Sequence, residues 1–324
     1  MSLSDVLLGK PIATDESTEE RVSSLTGVPV LGLDALASAA YGPEALLTVL
    51  LPLGTLALRP MLPLTGAIAL LLLIVFGSYR QTIAAYPNGG GAYTVAKENL
   101  GRSAALCAAA ALALDYVLNV AVAIAAGVGA LVSAIPNLLP HTLSLCLVAL
   151  ALLTAINLRG VRATGLALML PTALFMTTLL ALIAIGTIKT ISHAGHPPPV
   201  LAPTHLQSVL PAASLWLLLR AFASGCAAMT GIEAVSNAVP IFREPNVVRA
   251  RRTLGLIIGG LLLLLIGEAF LCYTYRVTAT PPGQNGYQSV LSQLTAAVVG
   301  RGPFYFVTIG SVAAVLGLSA NTSF

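Results

Sequence analysis

The sequence predicts an all-α membrane protein that crosses the bilayer many times, with two of its spans broken partway. Three observations carry that expectation. Apolar residues make up 57% of the 324 positions, whereas Asp, Glu, Lys and Arg together make up 9%. Long apolar runs recur along the chain, separated by short polar stretches. Two of these runs are interrupted in the same way, at Ala40-Tyr41-Gly42-Pro43-Glu44-Ala45 and at Met229-Thr230-Gly231-Ile232-Glu233-Ala234.

A soluble domain carries about a quarter charged residues, and the mean hydropathy here is +0.91. A surface so poor in charge is stable only against hydrocarbon, where backbone groups must bond one another and helices result. Each span needs about 20 apolar residues. The runs supply eight, over about 27–51, 62–79, 103–134, 141–158, 164–189, 212–240, 253–275 and 303–324. The third is long enough to tilt or to project beyond the bilayer. Residues 1–24 are polar and acidic (Asp5, Asp15, Glu16, Glu19, Glu20) and lack the basic-then-apolar order of a cleaved signal. They read as a cytoplasmic N-terminal segment. The eighth span runs into Ser319-Ala320-Asn321-Thr322-Ser323-Phe324 without a basic flank, so the chain reads as the front portion of a longer protein. Asn321-Thr322-Ser323 matches a glycosylation acceptor but falls at membrane depth.

The isoelectric point of about 9.0 does not mark a nucleic-acid partner, because the basic residues lie between spans rather than in one patch. With the N-terminus cytoplasmic, the inner segments hold Lys10, Arg21, Arg80, Lys97, Arg102, Arg159, Arg162, Arg243, Arg249, Arg251 and Arg252. The outer segments hold Arg59, Lys189, Arg276 and Arg301, and Arg220 lies inside the sixth span. This bias predicts a multi-pass protein of the cell's inner (plasma) membrane with its N-terminus inside. Cys107, Cys146, Cys226 and Cys272 fall in apolar runs without metal-ligand spacing, and read as packing residues. His193 and His196 sit in a Pro-rich outer loop over 190–211 and read as solvated rather than as a metal pair. Enzymatic chemistry is not expected: there is no Ser-His-Asp arrangement, metal motif or nucleotide loop. Gly89-Gly90-Gly91 lacks the Gly-Lys-Ser/Thr of a phosphate loop and reads as an interfacial turn.

Both interrupted runs read hydroxyl-bearing residue, Gly, apolar, Glu, Ala, and Thr230 follows Tyr41 by 189 residues. Five spans separate the copies, and an odd number places the second upside down. The expected organisation is therefore a five-span unit over 25–189 and an incomplete second unit, spans six to eight, over 212–324. Two five-span units with discontinuous first helices make a LeuT/APC-type inverted repeat (5+5), here truncated in span eight. Gly42-Pro43 removes a backbone donor and disfavours helix at the preceding residue. Span six has no proline at the matching place, only Gly225 and Gly231. Groups freed at such breaks need protein, water or a bound solute as partner, and half-helix ends carry partial charges suited to ions.

Five carboxylates fall within spans, Asp34, Glu44, Asp115, Glu233 and Glu268. Each is costly there and is by default a functional candidate. Asp115 lies roughly 20 Å along its helix from Arg102, at 1.5 Å per residue. Asn119 is one turn further on the same face. Asp34 precedes Tyr41 by two turns, and Glu233 follows the interruption of span six. The candidate site therefore gathers Asp34, Tyr41 and Gly42 from span one, Asp115 and Asn119 from span three, and Thr230, Gly231 and Glu233 from span six. Glu44 reads as an outer gate or a solvated group, and Glu268 as paired with a polar neighbour. Carboxylates without a buried lysine imply a cationic passenger, a proton, or both. Arg220 either offsets an acid or snorkels to the interface.

Gly32-Leu33-Asp34-Ala35-Leu36-Ala37-Ser38-Ala39-Ala40-Tyr41-Gly42-Pro43-Glu44 resembles the first helix of the KimA-type potassium importers. These form a KUP-like, potassium-uptake branch of the amino acid/polyamine/organocation (APC) superfamily. Tyr86 to Gly101 is similar to their loop after span two. Thr230-Gly231-Ile232-Glu233-Ala234-Val235-Ser236-Asn237 and Phe242-Arg243-Glu244-Pro245 are similar to their sixth span and the turn after it. The resemblance runs over essentially the whole chain. It implies a proton-coupled potassium symporter working by alternating access, with no cofactor beyond transported K+ and H+. It places Asp34, Tyr41, Asp115 and Thr230 along the ion path and Glu233 at a proton-coupling position. Potassium prefers oxygen ligands, which these residues and unwound carbonyls supply. Where the resemblance leads one to expect a threonine and then a serine in span three, this chain has Asn119 and Ala123. The family often carries a cytoplasmic C-terminal domain that senses a cyclic dinucleotide and supports a homodimer. That domain is not among these residues. Two other readings remain open: an amino-acid or amine permease on the same fold, and, more remotely, a non-transporting membrane sensor. In every reading the partners are the lipid bilayer and a small cation or organic substrate.

Overall fold

A computed structural model describes residues 21–158, 165–204 and 207–322. The acidic residues and Lys10 of the N-terminal segment, Arg159, Arg162 and Ser323 lie outside the described residues. Among those described there is no strand, only a single bridge between Val22 and Phe242. The chain opens with α1 (Gly27–Leu31), α2 (Leu33–Ala37) and α3 (Gly42–Val49). It continues through α4 (Leu58–Ala85), α5 (Ala92–Leu100), α6 (Arg102–Ala134), α7 (Thr142–Leu158) and α8 (Gly165–Ser192). Then follow α9 (Leu215–Gly225), α10 (Ala234–Asn237), α11 (Asn246–Thr274), α12 (Val290–Val299) and α13 (Pro303–Thr322).

Seven helical stretches among the described residues are long and apolar enough to cross a membrane. They correspond to seven of the eight expected spans. The remaining one, over 27–51, is not a continuous helix but a series of short pieces. The local sequence explains its geometry. After Ala37 the chain tightens into a 3-10 turn over Ser38–Ala40, and Tyr41 leaves helical geometry at φ −120°. Helix resumes at Gly42, with Pro43 in its first turn, where a missing N–H costs nothing. Residues 215–237 break similarly without a proline. A 3-10 turn over Cys226–Met229 leads to an extended Thr230, and Gly231 takes φ +73° before α10 begins. That left-handed backbone is open to glycine at little cost.

The 33 residues of α6 measure about 50 Å at 1.5 Å per residue, well beyond a hydrocarbon core of about 30 Å. This helix packs along α13, α4 along α11, and α3 along α9. The main core runs through these contacts, with Phe175, Phe242 and Tyr305 fully buried. A second cluster joins α6 and α13 through Val120, Ile124, Val128 and Ala320, with α7 side chains laid against it. Leu114, Leu118, Leu143 and Trp216, by contrast, are largely exposed. A water-facing apolar surface of that extent is not stable, so this face belongs against lipid.

The Gly-rich turn packs on the far end of the broken sixth segment. Gly89 is at φ +91°, and a β-carbon there would meet the Asn237 carbonyl oxygen at 2.7 Å. The Gly90 N–H donates to the Ser236 carbonyl at 3.1 Å. His193 and His196 are exposed and bond local carbonyls. The four cysteines are all free.

Candidate functional site

The two broken segments cross at their breaks. A β-carbon on Gly42 would lie 2.6 Å from the Ala228 β-carbon, so a glycine is what lets the backbones meet. Hydroxyls on each segment bond carbonyls of the other, as hydrocarbon depth favours. The Ser38 hydroxyl donates to the carbonyl of Ala228 at 2.6 Å, and the Ser224 hydroxyl to that of Ala45 at 3.0 Å.

Asp34 sits at this crossing, on α2, with 8% of its surface exposed. The Asn119 amide donates to both carboxylate oxygens, at 2.9 and 2.8 Å, and the Ser319 hydroxyl donates to one of them at 2.6 Å. Three hydrogen bonds from two neutral groups spread the charge, and no basic side chain among the described residues bonds it. Gly231 presses on the same group: a β-carbon there would be 2.6 Å from an Asp34 oxygen. The Asn119 oxygen accepts from the Tyr41 hydroxyl at 3.3 Å, and that hydroxyl lies 3.1 Å from Thr230 Oγ1. Asp34, Tyr41, Gly42, Asn119, Thr230 and Gly231 thus form one constellation. Ser319, on α13, belongs to it too, and sequence reasoning missed it. The only signal was a serine recurring among apolar residues in the last span.

Two expected members stand beside this constellation rather than in it. Asp115 is exposed on α6, one turn short of Asn119, and makes no hydrogen bond to a described residue. Glu233 is half-buried and accepts from the Tyr116 hydroxyl at 2.8 Å. Tyr116 is a second residue the sequence did not flag. Between Asp34 and Glu233 lies a cavity of about 180 Å³, bordered also by Tyr116, Gly231 and Leu31. Two acids and no base line it, which favours a cation over a carboxylate-bearing solute.

The remaining acids are placed separately. Glu44 accepts from the Tyr287 hydroxyl at 2.8 Å and from the Val290 N–H, at the start of α12, at 3.2 Å. Burial first, and the Glu44 carboxylate second, push the Tyr287 phenol above its ordinary value, so it remains a donor. Glu268 on α11 is buried, and one of its oxygens has no hydrogen-bond partner. The pairing expected for it is not formed at that oxygen. Arg220 is exposed and bonds no carboxylate among the described residues, so of its two readings the structure favours the one at the interface.

Comparison with known proteins adds two findings. The Amino acid permease family matches residues 36–324. The potassium transporter KimA of Bacillus subtilis (strain 168) is 38% identical over 323 residues, which cover 100% of this chain and 52% of that protein. The chain therefore spans about half the length of the curated relative it matches.

Proposed function

Because the chain belongs to the amino acid permease family, we propose that it forms part of a secondary active transporter, a proton-coupled potassium symporter that works by alternating access. The observation that carries the proposal is the Asp34 carboxylate, buried where two broken segments cross and held, among the described residues, by neutral donors. A cation arriving there replaces the amide and hydroxyl protons of Asn119 and Ser319 and draws on carbonyl and hydroxyl oxygens nearby. Potassium as cargo is supported by the identity with a potassium transporter. Glu233, across the cavity from Asp34, is the proton-coupling group in this account, and Asp115 stands on the approach.

The architecture proposed is the inverted repeat, with units over 25–189 and 212–324 and the N-terminus cytoplasmic. Its support is the packing of α3 on α9, α4 on α11 and α6 on α13, each joining elements five spans apart. Glu44 and Tyr287 would then tie the outer half of span one to the segment leading into α12, as a closed outer gate. A homodimer is proposed on the resemblance alone.

A second reading, an amine permease, is favoured by one observation. Asn119 offers Asp34 an N–H where a hydroxyl oxygen is expected. Growth of a potassium-uptake-deficient bacterium on limiting potassium separates the two readings. Rescue by the full-length gene, lost with Asp34→Asn and weakened with Asp115→Asn, is the expected result. A well-expressed wild type that fails to rescue, but imports a radiolabelled amine, overturns the potassium reading.

A further inference from the structure

Basic residues at the opposite end of the bundle from the N-terminus divide into two kinds. Lys189 donates to the Val298 carbonyl at 2.7 Å, and Arg301 to the Ser133 carbonyl at 3.2 Å. Both cap the chain's own backbone. Arg59 and Arg276 are exposed, and neither side chain bonds a described residue. They nevertheless share one cavity of about 550 Å³, together with His196, Thr55, Tyr273 and Thr274, and no acid lines it.

Three long helices end around this cavity. Arg59 stands in the first turn of α4, Arg276 just beyond α11, and His196 just beyond α8. Arg276 is held at φ +57°, a strained backbone for a residue with a side chain, and such strain collects at ligand clamps. Two like charges without a counter-ion repel one another unless an anion joins them. A guanidinium presents paired N–H donors that match the oxygens of a phosphate, and the Thr55 hydroxyl and Tyr273 phenol add neutral donors.

We propose that this cavity binds a phosphate oxyanion, carried either by an anionic phospholipid headgroup or by soluble inorganic phosphate. Its place at the ends of membrane spans is headgroup depth, where arginines extend toward the interface. An anion there would hold the end of α11 against α4 and α8, next to the stretch that carries Tyr287. The inference does not depend on the nature of the cargo.

A binding titration of the purified full-length protein in neutral detergent tests it, with phosphatidylglycerol in one arm and inorganic phosphate in the other. The Arg59→Gln/Arg276→Gln variant should bind the preferred ligand about tenfold more weakly or worse. Arg59→Lys/Arg276→Lys should fall between, because it keeps the charge and loses the fork. Arg102→Gln, exposed at the start of α6 and not part of this cavity, is the control and should bind as wild type. Loss confined to the lipid arm identifies the headgroup as the ligand; loss confined to the phosphate arm identifies the soluble ion. Absence of binding in both arms, or equal binding by wild type and both double variants, overturns the proposal.

Discussion

The hydroxyl of Tyr41 lies 3.1 Å from that of Thr230, 189 residues away, and the two residues hold the same place in the two echoed segments. The bond bridges the two breaks. The same Tyr41 hydroxyl reaches the Asn119 oxygen, so one phenol connects spans one, three and six. A double-mutant cycle with Tyr41→Phe and Thr230→Val should give a coupling of about 0.5–1.5 kcal/mol in thermal unfolding. Strictly additive effects would mean that the hydroxyls do not bond.

Asn119 supplies two of the three hydrogen bonds on the buried Asp34 carboxylate. Asn119→Ala leaves that group with Ser319 alone. It should lower stability by about 1–3 kcal/mol and slow transport at least several-fold. A variant as stable as wild type in denaturant titration would show that Asp34 finds other donors.

Gly231→Ala adds a β-carbon 2.6 Å from an Asp34 oxygen, at a backbone with φ +73°. Both the strain and the displaced carboxylate act against the variant, so transport should fall more than about tenfold, with stability down by about 1–3 kcal/mol. Gly259→Ala, in the middle of α11 with nothing within 4 Å of the added carbon, should instead be neutral or stabilise by about 0.5–1 kcal/mol. The melting temperature should therefore fall for Gly231→Ala and hold or rise for Gly259→Ala.

Glu44 is tied to the segment leading into α12 by Tyr287 and Val290. Tyr287→Phe removes one tie and should shift the population toward an open outer side. Cys272 is fully buried on α11. With the other three cysteines replaced by serine, its labelling by a membrane-impermeant thiol reagent should become several-fold faster in Tyr287→Phe. Unchanged labelling would remove Tyr287 from the gate.

The helical, membrane-embedded character was legible because composition alone forbids an aqueous surface, and the family was legible in the segments over 32–44, 86–101, 230–237 and 242–245. Gly42-Pro43 announced the break of the first segment through backbone chemistry that acts locally. The break at Thr230 and Gly231 was harder to see, because no proline marks it and the two demands for a glycine, φ +73° and the close approach to Asp34, appear only in the fold. Ser319 and Tyr116 were missed for a related reason. Each acts on a carboxylate far away in sequence, Asp34 and Glu233 respectively, and a lone hydroxyl in an apolar helix gives no local signal. Asp115 was read from its depth along α6, on the face that does turn toward Asp34, but it lies one turn short of the crossing. The structure turns Asn119, one turn further on, into the constellation instead.

The central claim is that Asp34 is where the transported cation is held. The direct measurement is potassium uptake into proteoliposomes containing the full-length protein, under an imposed proton gradient, for wild type and Asp34→Asn. Gradient-driven accumulation is expected of the wild type and none above background of the variant, with both proteins folded to equal extents. Uptake by Asp34→Asn at the wild-type rate and with the wild-type apparent affinity would contradict it.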